Sequence, residues 1–335
     1  MANVLVLGGT SFIGPSVVRS LIEGGHRVAV FNRGRSEASL PDGVVRIVGD
    51  RARIDVARDA FEEFDPDVAI DMYAMTEEDA RLANAGLRGI ASRMVAISSL
   101  DVYRAYDRLR KAYPGPPDPV PLTEESPLRD HLYPYRGEHR PAGLDRPYFH
   151  DYDKIMVERV VLGDPEMPGS VVRLPMVYGE RDGQHRYWQY LKRMDDGRPA
   201  IVLNERVAEW RCTWGFVDNI ADAIALVATD DRAAGRIYNL GEPNHPTTRE
   251  LVGEIASVVG WDGEVVTVPD EQLDPGIDPN QDLVSDSSRI RLELGYSERV
   301  PRDEALRRTV AWEREHPPEH EMAGIDYAEE DAWLE

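Results

Sequence analysis

Short unbroken apolar runs alternate along the chain with segments in which apolar residues return every three or four positions. NVLVLG is of the first kind, set before glycines, as a strand buried on both faces should be. PSVVRSLIEGG is of the second kind and predicts a helix, with Pro15 in its first turn and Gly24–Gly25 as its stop. RVAVFN and VVRIVGD read as strands, IDVARDAFEEF as a helix and DVAIDMYA as a strand. TEEDARLANAGLRGI predicts a helix opened by a capping box, with Thr76 as N-cap and Asp79 in the place of the usual Glu or Gln. RMVAISS closes the series as a strand. This repetition predicts an α/β fold with a doubly wound parallel sheet.

From Tyr106 to Phe149 the pattern stops, and AYPGPPDPVPLTEESP and YPYRGEHRPAGLDRP supply proline without periodicity. A connection of that length inside a domain is usually functional or partly disordered. DYDKIMVERVVLG resumes as helix and GSVVRLPMVYG as strand. Looser alternation follows through HRYWQYLKRMDDG, AIVLNE, NIADAIALVAT, GRIYNLG, TTRELVGEIASVVG and VVTVP, and the end HPPEHEMAGIDYAEEDAWLE is acidic and poorly periodic.

Composition narrows the function classes. The chain has 335 residues and a formal charge of −22, which disfavours nucleic acid and anionic membrane as partners. No apolar run approaches the ~20 residues of a membrane span, and VLVLGG is too short for a signal core. Cys212 is the sole cysteine, so no intrachain disulfide and no cysteine-based zinc site can form. The histidines are scattered, and no metal site is expected. The expectation is a cytoplasmic protein acting on a small molecule.

The candidate chemistry begins at GGTSFIG, between the first strand and the first helix. Such a turn brings a pyrophosphate onto backbone amides at a helix N-terminus. Gly8 allows the tight turn, Gly14 lets the helix pack close, and Ser11 stands where a middle glycine is usual. Thr10, Phe12 and Ile13 complete the loop. After the second strand, where an Asp or Glu would hold the ribose hydroxyls of NAD, stand Asn32, Arg33 and Arg35. Guanidinium groups without that carboxylate fit a 2′-phosphate, which favours NADP over NAD.

The landmarks LGGTSFIG, Gly49–Asp50, AISSLDVY, DKIMVE, RLPMVYGERD, FVDNIADAI and VSDSSRIRLELGYSERVPRDEALRRTVAW run in order over nearly the whole chain. Together they resemble the extended, atypical short-chain dehydrogenase/reductase superfamily, of the NAD-dependent epimerase/dehydratase type. The resemblance implies a Rossmann domain over residues 1–175, with an insertion at 106–149. It implies a smaller, mainly substrate-binding lobe over 176–320, with some segments returning to the first domain; 321–335 is left as an acidic tail. It also implies that Asp50 and Arg51 lie by the adenine and Leu174, Met176 and Val177 by the nicotinamide. A homodimer formed through two helices is common in that superfamily.

The superfamily works with a Ser or Thr, a Tyr and a Lys. Ser99 matches the hydroxyl and Lys154 the lysine, whereas the tyrosine position, four residues before Lys154, holds His150. Three readings stand open: His150 exchanges the proton, a displaced Tyr148 or Tyr103 does so, or the site binds NADP as a silent scaffold or sensor. Tyr152, two residues from Lys154 on a helix, would point away from it. On the substrate side the resemblance offers Arg186 and Arg211.

Overall fold

The structure is a computed structural model that describes residues 1–35, 40–136, 147–320 and 325–334, with the side chains of Pro147 and Tyr148 outside that description. The first half builds β1 (Asn3–Leu7), α1 (Ile13–Glu23), β2 (Arg27–Asn32), β3 (Val45–Val48), α2 (Arg58–Phe64), β4 (Val68–Asp71), α3 (Glu77–Leu87), β5 (Arg93–Ser99), α4 (Arg104–Leu109), α5 (Lys154–Leu162) and β6 (Gly169–Leu174). The second half builds β7 (Met176–Tyr178), α6 (Trp188–Asp195), β8 (Ala200–Asn204), α7 (Glu205–Glu209), β9 (Trp214–Phe216), α8 (Val217–Thr229), β10 (Ile237–Asn239), α9 (Thr248–Val259), β11 (Glu264–Val268), α10 (Ser288–Leu294), α11 (Arg302–Glu315) and α12 (Tyr327–Leu334).

Among the described residues, seven strands form one parallel sheet in the order β10-β6-β5-β4-β1-β2-β3. Val4, Leu5, Val6 and Leu7 of β1 are all buried, because helices cover both faces of a parallel sheet. On one face α1 packs on α8, with Ser16 Oγ donating to Asp218 Oδ1 at 2.7 Å and Ser20 Oγ to Asp222 Oδ1 at 2.7 Å. On the other, α3 packs on α5. Thr76 caps α3 in the expected box, its hydroxyl accepting from the Asp79 amide while the Asp79 carboxylate accepts from the Thr76 amide.

The strand order reverses between β1 and β4, and a doubly wound sheet opens its ligand crevice at the carboxyl ends of the strands beside such a switch. The pairs β7–β9 and β8–β11, with α6, α7, α9 and α11, form the smaller lobe beyond those ends, while β10 returns to the edge of the main sheet. Among the described residues, no helix is long and apolar enough to cross a membrane.

The C-terminal segment departs from the expected irregular tail. Tyr327–Leu334 is helical, and Arg193 of α6 pairs with a Glu330 carboxylate that is 3% exposed. Polar contacts rather than an apolar stripe hold this helix, with Arg198 paired to Asp331 and the Tyr327 hydroxyl donating to Asp196, which is why hydrophobic periodicity gave no sign of it.

Candidate active site

A cleft of about 1290 Å³ runs along the carboxyl ends of β1, β2, β5 and β6. At the β1 end it is lined by Gly8, Thr10, Ser11, Phe12 and Ile13, and Gly14 lies just behind them. The Gly8 amide donates to the Phe31 carbonyl at 2.9 Å, which ties the loop to β2. A Cβ on Gly14 would lie 2.5 Å from the Gly9 backbone, so only glycine lets α1 start this close to the loop. Ser11 costs the loop little, because the left-handed φ angles fall at Gly8, Gly9 and Phe12 (φ 44°).

Beside the loop, Asn32, Arg33, Arg35, Asp50 and Arg51 line the same cleft. Asn32 Oδ1 accepts from the Gly34 amide at 2.7 Å and holds the turn that carries the two exposed arginines. Neither arginine has an acidic partner among the described residues. Arg51 is committed instead: it makes a bidentate pair with buried Asp71 and bonds the Asp79 carbonyl at 2.9 Å. Asp71 in turn accepts from the Tyr73 and Ala74 amides and so caps the turn after β4.

Ser99, Lys154 and the Leu174–Val177 segment line the part of the cleft at β5 and β6. Lys154 is 4% exposed, and its Nζ donates to the Ala74 carbonyl at 2.6 Å and the Ile97 carbonyl at 2.9 Å. Burial, reinforced by Arg51, pushes its ammonium down to about 8 against the pull of Asp101, Asp71 and Asp79. Ser99 Oγ accepts from the Asp101 amide at 3.2 Å, which leaves its proton for a ligand oxygen. Ser98, facing the other way, donates to Glu158 at 2.5 Å inside the protein.

Three of the residues weighed for catalysis or substrate binding lie elsewhere. His150 is not on the helix of Lys154: Asp153 caps α5 by accepting from the Ile155 amide, so α5 begins at Lys154. His150 lies on the preceding 3₁₀ turn, with its side chain 66% exposed and its Nδ1 3.0 Å from Asp151. Tyr103 is sealed in the core, where its hydroxyl donates to Asn239 and accepts from Arg173, and burial pushes its phenol up to about 12. Arg211 bonds the His245 carbonyl and pairs with Glu250 in a separate, open depression. It lies in extended chain, where neighbours face opposite ways, and its neighbour Cys212 packs on Met176 of the cleft. Arg186 does line the cleft, anchored to the Val177 carbonyl at 2.9 Å and to Asp182 at 2.6 Å. The Tyr148 side chain lies outside the described residues.

Tyr152, dismissed on helical spacing, lines the cleft. Residues 152 and 153 run extended beside Met75 and Thr76, with the Asp153 amide donating to the Met75 carbonyl at 3.0 Å, so helical geometry does not apply to them. Lys154 Nζ stands 6.0 Å from the centre of the Tyr152 ring, whose hydroxyl donates to Asp101 Oδ2 at 2.6 Å. The insertion contributes Tyr106, Arg110, Tyr135 and Phe149. It is fixed there by a fully buried pair, Arg129–Asp153 at 3.0 Å, whose arginine also bonds the Asp101 carbonyl. The signal available in the sequence was Asp153, a strong N-cap residue directly before the helical run. Among the described residues, no cluster of His, Cys, Asp and Glu could hold a metal ion.

The chain matches the NAD dependent epimerase/dehydratase family over residues 4–108 and 115–241. It belongs to that family. A 2'-dehydrokanamycin reductase from Streptomyces kanamyceticus is 28% identical over 279 residues, 80% of this chain and 70% of that protein. A dTDP-glucose 4,6-dehydratase from Streptomyces griseus is 38% identical over 104 residues, 31% of this chain and 30% of that one. The UDP-glucose-4-epimerase of Stenotrophomonas maltophila, solved with NAD and formylated UDP-arabinopyranose, superposes with a TM-score of 0.71 at 17% identity, covering 94% of this chain and 98% of that one. WbmG of Bordetella bronchiseptica, solved with NAD, gives 0.69 at 15% identity, with 97% and 98% covered. These two likenesses are of fold. A nicotinamide dinucleotide is the cofactor typical of the family. The residues present fit such a group: Gly14 leaves room only for backbone at the loop, and the two arginines at the end of β2 have no acidic partner among the described residues.

Proposed function

We propose that the protein is an NADP-preferring oxidoreductase that transfers a hydride at the carbonyl or hydroxyl carbon of a small, sugar-like ring. The observation that carries this reading is the convergence of Ser99, buried Lys154 and Leu174–Val177 in one cleft with the glycine loop. The bound dinucleotide supplies or stores the hydride. Gly8 to Gly14 cradle its pyrophosphate, Arg33 and Arg35 take the 2′-phosphate, and Asp50 and Arg51 lie along the adenine side. Leu174, Met176 and Val177 flank the nicotinamide. Lys154, charged at neutral pH, holds the adjoining ribose, and the Ser99 hydroxyl orients the substrate oxygen. Tyr106, Tyr135, Phe149 and Tyr152 offer aromatic surface to a ring, and Arg186 offers a cation beside it. A reductase is favoured by the likeness to 2'-dehydrokanamycin reductase.

The test is to incubate the protein with 4-deuterated NADPH and a small-molecule extract and to follow the label by mass spectrometry. Deuterium in a metabolite is expected, and names the substrate. Label retained on bound cofactor against every extract would leave a recycling epimerase or a silent binder in its place.

Two further outcomes are expected. Arg33→Ala with Arg35→Ala should weaken NADPH binding by about 10- to 100-fold, the worth of one or two charge-assisted hydrogen bonds, and leave NADH within about threefold. Fluorescence titration with both cofactors checks this. His150→Phe should leave cofactor binding and label transfer within about twofold of wild type, because its ring lies outside the cleft.

A further inference from the structure

Ser99 and Asp101 sit two residues apart on the turn that ends β5, and both line the cleft. Asp101 is 6% exposed. Its Oδ2 accepts from the Tyr152 hydroxyl at 2.6 Å, whereas its Oδ1 is buried without a hydrogen-bond partner among the described residues. A buried carboxyl oxygen left unpaired beside a ligand cleft is costly unless it carries a proton or meets a ligand group. The neighbouring phenol is a poor proton source. Its proton is already engaged with Asp101, and burial, then the Asp101 charge and Tyr135, hold it well above the ordinary phenol value.

Resting on the hydride-transfer reading above, we propose that the Asp101 carboxyl is the acid–base group of this site, exchanging the proton of its Oδ1 with the substrate oxygen while Tyr152 holds its Oδ2. In the reducing direction the carbonyl carbon gains the hydride from the dihydronicotinamide, and the π pair of C=O moves to oxygen. That oxygen takes the proton from Oδ1 as the carboxyl O–H bond breaks. The products are an alcohol, an oxidised nicotinamide and the Asp101 carboxylate, which keeps the Tyr152 hydrogen bond. Oxidation runs the same steps backwards.

The surroundings suit a carboxyl that titrates high. Burial raises the Asp101 value and Asp153 adds to this, while Arg129, the Tyr152 hydrogen bond and Lys154 oppose it. Tyr106 and Tyr135 also face the pair, Arg110 stands 5.4 Å from the centre of the Tyr135 ring, and Asp107 acts on Arg129. An acid moved toward neutrality donates and recovers a proton more readily at working pH than an ordinary carboxylate.

The experiment compares the full chain with Asp101→Asn and Tyr152→Phe. Infrared spectra at pH 7 are expected to show a protonated-carboxyl stretch that Asp101→Asn removes and Tyr152→Phe shifts. NADPH fluorescence should show binding within about threefold of wild type in both variants. With the metabolite identified above, label transfer should fall at least about 100-fold in Asp101→Asn. Tyr152→Phe, which keeps the ring and frees Oδ2, should lower label transfer less than Asp101→Asn does and move the alkaline limb of the pH profile upward, because it removes a hydrogen bond that lowers the carboxyl value. A purely structural Asp101, protonated or not, would leave the limb in place and keep label transfer in Asp101→Asn near the wild-type level. Absence of the band, or full turnover in Asp101→Asn, overturns the proposal. Wild-type protein that binds NADPH and transfers no label instead overturns the hydride-transfer reading, while the band still decides the state of Asp101.

Stability gives an independent reading with a definite sign. A folded-state carboxyl raised above its unfolded value costs stability as pH climbs past 3.8. Asp101→Asn is therefore expected to raise the melting temperature at pH 7, with the gain shrinking as pH approaches 3.8.

Discussion

Replacing Lys154 with methionine is expected to lower label transfer from 4-deuterated NADPH by about 100-fold, the typical cost of misplacing a reactant, because the ammonium holds the ribose that carries the nicotinamide. The side chain is buried in the cleft with its three donors directed at the Ala74 and Ile97 carbonyls and the space beside them. Methionine keeps the length and apolar stem and removes only the charge and the donors. The same lysine predicts a pH dependence in the wild type. Its ammonium titrates at about 8 rather than 10.5, so its contribution to cofactor binding should fade as pH rises through about 8. For stability the sign is the opposite of a salt-bridged lysine. Between pH 8 and 10.5 the unfolded chain binds the proton that the folded protein releases, so the cost of burying this charge is greatest below pH 8. Lys154→Met should therefore compare more favourably with wild type at pH 7 than at pH 10 in chemical denaturation.

The second large effect concerns stability alone. Arg173→Met is expected to cost about 3–5 kcal/mol in urea denaturation, because it strands a buried carboxylate. Arg173 is 1% exposed and clamps Glu158 with Nε at 2.9 Å and Nη2 at 2.7 Å. Its Nη1 donates to the Tyr103 hydroxyl at 2.8 Å and the Glu124 carbonyl at 3.1 Å. Without it, the Ser98 hydroxyl is the one side-chain donor left to Glu158 among the described residues. The double variant Arg173→Met, Glu158→Leu should recover most of the loss, since an apolar pair avoids desolvating a lone charge. The network braces the site from behind: Ser98 precedes Ser99, and Glu158 stands one helical turn after Lys154.

How far the site was legible follows the range of the interactions that make it. The glycine loop, the arginines after β2, Ser99 and Lys154 could be read because each belongs to a local pattern, a strand followed by a turn or a helix start. The Thr76 cap was readable for the same reason. His150 and Tyr152 were misjudged because helical spacing was extended four residues upstream of a helix that Asp153 begins at Lys154. Tyr103 looked available beside Ser99, yet Arg173 and Asn239, 70 and 136 residues away, take its hydroxyl into the core.

The sequence by itself determined the alternation of strand and helix, the glycine-rich turn between β1 and α1, the missing acidic residue after β2 and the family to which the chain belongs. Short-range sterics and hydrophobic periodicity fix these, and they need no knowledge of distant residues. The tertiary structure alone decided which polar atoms meet in the cleft. Asp101 meets Tyr152 across 51 residues, Arg129 anchors the insertion to Asp153 across 24, and Arg211 turns away. Such meetings depend on how buried charges find partners once the layers pack, because a buried polar group without a partner costs more than local preference can offset.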